Sequence, residues 1–185
     1  MNHTATSKEE LLAASLRYAN EAGLEAFNMR GIAALCGVSV GCVYRYFPSK
    51  AALLAATVEK VWEIIFCQID GYAAPEDFRE YIRRLYACIR NGSAEYPAFF
   101  AVHASVFSPD EKDEGRAVMN SYLCTILNGL VKALTADPRV RPDAFDDSFT
   151  AEAFAAFLFQ NLVGLAERRE DDCNYLIHLA EKLLY

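Results

Sequence analysis

Apolar residues recur every three or four positions along most of the chain, and no stretch shows the sustained alternation of a half-buried strand. The pattern predicts an all-α protein of about nine helices. Ser7-Lys8-Glu9-Glu10 has the spacing of a capping box, in which a hydroxyl and a carboxylate satisfy N–H groups that a helix start leaves unpaired. Leu11, Leu12, Ser15, Leu16, Tyr18, Ala19 and Ala22 follow at helical spacing, and Gly23 is expected to end the helix in a left-handed conformation. Asn28 is placed to cap a short helix from Met29 to Cys36, which Gly37 breaks. Ser39 caps a second short helix to about Tyr46, and Pro48 stops it. Two short helices joined by a tight glycine turn form a helix-turn-helix.

A long helix is expected from Ser49 to near Gly71, with Leu54, Val58, Val61, Ile65 and Ile69 on one stripe and Leu53, Trp62 and Phe66 beside it. Further helices are expected from Pro75 to Tyr96, from Pro97 to Phe107 and, after a polar loop at Ser108–Glu114, on to about Ala136. Asp137–Asp147 reads as a linker or loop before two last helices, Ser148–Arg168 and Asp171–Leu184.

Composition narrows the class. The 185 residues are 54% hydrophobic and 23% charged, too apolar for a disordered chain. With 12 Phe, 10 Tyr and 1 Trp, there is more aromatic bulk than close packing requires, which suggests that some of it lines a cavity. The six cysteines, Cys36, Cys42, Cys67, Cys88, Cys124 and Cys173, form no C-x-x-C pair and read as reduced, mostly buried thiols. Met1 to Glu10 is polar, and about 18 apolar residues never run together, so a soluble, cytoplasmic protein with no membrane partner is expected. His3, His103 and His178 stand apart, and no nucleophile with a base, paired carboxylates or metal cluster accompanies them. The expectation is a protein without enzymatic activity, metal or cofactor.

The span from Leu11 to Leu54 is more specific. Leu11-Leu12 with Ala14, Gly23, Ile32-Ala33, Gly37-Val38-Ser39, Gly41, Val43-Tyr44-Arg45-Tyr46-Phe47-Pro48-Ser49-Lys50 and Leu53-Leu54 together closely resemble the DNA-binding domain of the TetR family of bacterial transcriptional regulators. The resemblance implies a three-helix DNA-binding domain over residues 1–54 and a helical effector-binding and dimerisation domain over 55–185. It implies DNA contacts from Ser39, Val40, Gly41, Cys42, Tyr44, Arg45, Tyr46 and Lys50, with Tyr46 and Lys50 on phosphates and Val40, Cys42, Tyr44 and Arg45 in the groove. Arg17 and Arg30 are left open between phosphate contact and plain surface. Physical reasons stand beside the resemblance: Gly37 permits the turn, Gly41 a close approach, and the Ser39 cap an outward-pointing helix start. Val43 and Phe47 are expected to pack inward against Ile32 and Leu12. The chain departs from the family pattern at Cys42, where threonine is frequent, at Gly31, where an acidic residue is frequent, and at Ala19, where an aromatic is frequent.

Charge divides along the same line. Residues 1–61 carry six Lys+Arg against five Asp+Glu, while residues 62–185 carry 12 against 20. A near-neutral head makes few phosphate contacts, so two heads are needed on one palindromic operator. The resemblance makes the last two helices a homodimer face, using Phe154, Phe157, Leu158, Asn161, Leu162, Leu165, Leu176, Leu179 and Leu183. It places an effector pocket among Trp62, Phe66, Tyr86, Phe99, Phe100, His103, Phe107 and Tyr122. The expected function is a transcriptional regulator, a repressor released from its operator by a small apolar or aromatic effector; the alternative is a DNA-organising protein of the same fold or one that acts through a protein partner.

Overall fold

Side-chain caps start the first helices where the sequence puts them. The computed structural model describes residues 6–24, 26–70, 77–99 and 114–185, with backbone alone at 67–70, 114–119, 121 and 122. Among the described residues there are eight helices of seven residues or more and no strand: α1 (Lys8–Ala22), α2 (Met29–Leu35), α3 (Val40–Tyr46), α4 (Lys50–Asp70), α5 (Phe78–Glu95), α6 (Glu114–Ala136), α7 (Ala151–Glu167) and α8 (Asn174–Leu184). Residues 97–99 are helical, and the rest of the helix expected to Phe107 lies outside the described residues. Ser7 and Glu10 form the capping box, and the Asn28 side chain accepts from Gly31 N at 2.8 Å. Gly23 ends α1 at φ +81°, ψ 161°, so its φ is positive but its backbone is extended rather than left-handed helical.

Two helix starts fall three residues later than expected, for local reasons. Asp146 Oδ1 accepts from Ser148 N, Ser148 Oγ and Phe149 N, which holds a turn there, and Thr150 caps α7 instead of Ser148. Asp172 likewise accepts from Asn174 N at 2.9 Å and keeps residues 171–173 out of α8.

The described chain divides into two compact units, one taken from residues up to 63 with 96–121, the other from 64–95 with 122–185. In the first, α1 packs on α2 and α2 on α3. Its core contains Leu11, Ala14, Ala19, Phe27, Ile32, Ala33, Val43, Phe47, Leu53 and Trp62, all nearly solvent-free. Leu11 and Leu53 are the fully buried members of their leucine pairs, while Leu12 and Leu54 are half-buried. Each fully buried Leu, Ile, Val or Phe side chain contributes about 1.5–3 kcal/mol.

In the second unit α5 packs on α7 and α8, which also pack on each other. Phe78, Ile82, Leu85, Tyr86 and Ile89 form the buried stripe of α5, at steps of three and four. Phe154, Leu158, Leu162 and Leu176, expected on the dimer face, are instead buried within this unit. They are 0–5% exposed, which leaves a partner almost nothing to cover. The cysteines also depart from expectation. Of the five described, only Cys173 is buried, and burial pushes its thiol up to about 11; Cys36, Cys42 and Cys88 are half-buried and Cys124 is exposed.

The loop after α6 is fastened by one buried carboxylate. Asp137 accepts from Phe78 N at 2.9 Å, from Arg139 N, Nε and Nη2 at 2.9–3.0 Å, and from the Tyr185 hydroxyl at 2.6 Å. Asp77 pairs with Arg79 at 2.8 Å and Arg139 at 3.1 Å, and Arg79 reaches Glu181 at 3.1 Å. Burial alone would raise the Asp137 carboxyl, but hydrogen bonds from Arg139, Tyr185 and Phe78 N outweigh it and hold it well below the usual carboxylate range. The Arg79 hydrogen bond leads the causes that lower Asp77 to about 2.

Folded-state values below the unfolded one mean that stability from these carboxylates is fully present above about pH 4 and is lost as pH falls towards 2. Asp137→Asn should therefore lower the unfolding free energy by about 3 kcal/mol at pH 7. It should also flatten the acid limb of a denaturant-melt series between pH 4 and 2; an unchanged limb would contradict the assignment. At the end of α7, Glu170 N donates to Leu165 O and Arg169 N to Ala166 O, with Arg169 at φ +58°. That is a Schellman closure with arginine in the left-handed position. Arg169→Gly should stabilise the protein by about 0.5–1 kcal/mol, read as a melting-temperature rise of a few degrees.

Candidate nucleic-acid interface

The turn between α2 and α3 is closed by backbone groups. Gly37 N donates to Ala34 O and Val38 N to Ala33 O, with Gly37 at φ +65°, a region in which glycine carries no Cβ penalty. Ser39 then caps α3 by accepting from Cys42 N at 3.3 Å. Val43 and Phe47 turn into the core, so the opposite side of α3 faces out. Tyr44 is 50% exposed, Ser39, Gly41, Arg45 and Lys50 are exposed, and Val40, Cys42 and Tyr46 are half-buried.

An open groove of about 480 Å³ runs between the start of α2, the outer side of α3 and the start of α4, lined by Asn28, Met29, Arg30, Val40, Tyr44 and Lys50. Three residues expected to contact DNA, Val40, Tyr44 and Lys50, therefore share one surface with Arg30. Asn28 and Met29 had no signal in the sequence beyond the cap at Asn28, because their place beside α3 depends on the fold of the turn. The remaining expected contacts do not line the groove, and the Tyr46 hydroxyl is given to the Thr6 carbonyl at 2.7 Å. Arg17 lies outside the groove, near the Cys36 thiol, which burial raises and Arg17 pulls down.

Gly31, one of the departures from the family pattern, has a direct cause. A Cβ there would stand 2.5 Å from Cε2 of Tyr18. The Tyr18 ring meets Phe27 edge-on at 6.4 Å, and its hydroxyl accepts from Asn28 Nδ2 at 2.9 Å. Tyr18 thus holds the residue that caps α2 and lines the groove, and only a glycine leaves room for it.

The residues expected around an effector are placed unevenly. Trp62 and Phe99 are buried in the first unit and Tyr86 in the second, while Phe66 is half-buried. Phe100, His103 and Phe107 lie outside the described residues, as does the Tyr122 side chain. The hydroxyl of Tyr86, one of the residues expected in the pocket, donates to Glu170 O at 2.6 Å. Among the described residues, no helix is long and apolar enough to cross a membrane, and no group of three or more His, Cys, Asp or Glu could hold a metal ion.

The pattern of the bacterial regulatory proteins of the tetR family matches residues 11–57, the segment that builds α1 to α3, the turn and the groove. Residues 11–57 are a TetR-family DNA-binding segment. Its TetR-family segment is 40% identical over 66 residues to the HTH-type transcriptional repressor KstR of Mycolicibacterium smegmatis, covering 36% of this chain and 32% of that protein. It is 41% identical over 58 residues to KstR of Rhodococcus jostii, covering 31% and 27%. The match thus spans about a third of these relatives' length. The TetR fold extends further: a transcriptional regulator from Rhodococcus sp. Rha1 superposes with a TM-score of 0.68 at 27% identity, covering 94% of this chain and 91% of that one. BioQ, solved with its double-stranded DNA operator, gives a TM-score of 0.63 at 17% identity over 96% and 97% of the two chains.

The packing of Tyr18 on Gly31 in this TetR-family head makes a double-mutant cycle decisive. Gly31→Ala should destabilise the wild type by about 1 kcal/mol yet stabilise a Tyr18→Ala background, a coupling of about 1–2 kcal/mol in denaturant melts. Additive effects would show that the ring does not fill that space.

Proposed function

We propose that this chain is a DNA-binding transcriptional repressor of the TetR family that acts as a homodimer on a palindromic operator and is released by a small apolar or aromatic effector. The observation that carries the reading is the groove that brings Arg30, Tyr44 and Lys50 together beside Val40 on the capped helix α3. Two cations flanking an exposed tyrosine can neutralise phosphates, and the outward side chains of α3 can read base edges. Arg30 joins the DNA-contacting set on this reading, which otherwise keeps Ser39, Val40, Gly41, Cys42, Tyr44, Arg45 and Lys50. That KstR is a repressor supports the sign of regulation.

The dimer face of this proposal is smaller than the sequence pattern implies. Phe157, Asn161, Leu165, Leu179 and Leu183 remain accessible on α7 and α8, and Tyr175, 78% exposed, joins them. Large apolar side chains left open on two mutually packed helices suit a second copy of the same surface. The effector part rests on the aromatic content of residues 62–185 and on the family's division into a head over 1–54 and a body over 55–185.

The test is selection of a duplex from a randomised library by the full chain. A palindromic site should emerge, with half-sites about one helical turn apart. Lys50→Ala and Arg30→Ala should each weaken binding about tenfold and lower the slope of log K against log salt by about one. Tyr44→Ala should weaken binding while leaving the melting temperature nearly unchanged, as suits an exposed side chain. Phe157→Asp with Tyr175→Asp should give monomers and lose the full site. Selection of no sequence would contradict the reading.

A further inference from the structure

Tyr46 stands where the family resemblance puts a phosphate contact, yet its phenol is already engaged. The hydroxyl donates to the Thr6 carbonyl over 2.7 Å, joining residues 40 apart in the chain. Thr6 is itself buried, and its Oγ1 donates to the Glu10 carboxylate at 3.0 Å. The same carboxylate oxygen accepts from Ser7 N at 3.0 Å, while Glu10 N donates to the Ser7 hydroxyl at 3.1 Å. The start of α1 is thus a closed set of hydrogen bonds, and Tyr46 fastens the last residue of α3 to it. A phenol has one hydrogen to give, and a phosphate oxygen only accepts. With Thr6 taking that hydrogen, none is left for DNA.

The ring has a second task. The Arg45 guanidinium lies 5.3 Å from its centroid, so an exposed, long side chain is held to one side of α3. A further cross-link joins the same two segments, since the Lys8 ammonium sits 5.8 Å over the Phe47 ring. We propose that Tyr46 is a positioning residue and not a phosphate contact: its hydroxyl locks the end of α3 to the start of α1, and its ring presents Arg45 to the major groove. The proposal rests on the reading of α3 as the helix that reads DNA.

Wild type, Tyr46→Phe and Tyr46→Ala, all as the full chain, provide the test with the duplex that wild type selects from a randomised library. Without DNA, Tyr46→Phe should make the amides of Ser7, Glu10 and Leu11 exchange with solvent about fivefold faster, because one hydrogen bond that closes this segment is gone. On the selected duplex, Tyr46→Phe keeps the ring and should keep the wild-type penalty for each base substitution. Tyr46→Ala should shrink those penalties about threefold or more at the base pairs where Arg45→Ala also shrinks them. A phosphate contact predicts the opposite set: unchanged exchange in Tyr46→Phe, and an affinity loss equal on every sequence in both variants. That result would overturn the proposal. A wild type that selects no duplex sinks the regulator reading and the proposal with it, whereas selection with wild-type exchange in Tyr46→Phe sinks the proposal alone.

Discussion

The helix-turn-helix head depends on one backbone conformation, the positive φ of Gly37. At +65° it lets Gly37 N and Val38 N return to the carbonyls of Ala34 and Ala33, so that α2 ends and α3 starts within four residues. A Cβ at that position would cost about 1 kcal/mol or more, and the chain would have to open the turn to relieve it. Every later feature inherits this geometry. The Ser39 cap, the inward Val43 and Phe47, and the outward Val40 and Tyr44 hold their places only while the turn stays closed. The same closure recurs at the end of α7, where Arg169 takes the left-handed position at φ +58° and bears the Cβ penalty that Gly37 avoids.

The two units are held by different physics. In the head, the seven-residue helices α2 and α3 could not persist alone, and their buried faces together with the Asn28 and Ser39 caps stabilise them. In the second unit, apolar packing of α5, α7 and α8 is supplemented by a buried carboxylate, Asp137, which gathers the start of α5, the loop after α6 and Tyr185. Such a group specifies one arrangement of those segments, because any other leaves a buried charge without its partners.

Much of this was legible in the residues. Capping signals are local, so Ser7-Lys8-Glu9-Glu10, Asn28 and Ser39 announced three helix starts correctly. Where a second local device competed, the start moved: Asp146 and Asp172 each bind backbone N–H groups and delay α7 and α8 by three residues. Periodicity shows that a face is apolar but not what covers it, which is why Phe154, Leu158, Leu162 and Leu176 read as a dimer face and prove to be core. The groove beside α3 was half legible. Tyr44 and Lys50 came with the motif, whereas Asn28 and Met29 joined them through the fold of the turn, and the explanation for Gly31 needed the Tyr18 ring in place. Long-range hydrogen bonds such as that of Tyr46 to Thr6 leave no trace in spacing at all.

Hydrogen exchange of the full chain with and without its selected duplex tests whether the face formed by the start of α2, the outer side of α3 and the start of α4 is where the chain meets DNA. New protection should concentrate at residues 28–30 and 39–50, with the core positions Val43 and Phe47 protected in both states. Protection that appears instead along α7 and α8, or that leaves residues 28–50 unchanged while DNA is bound, would contradict that placement.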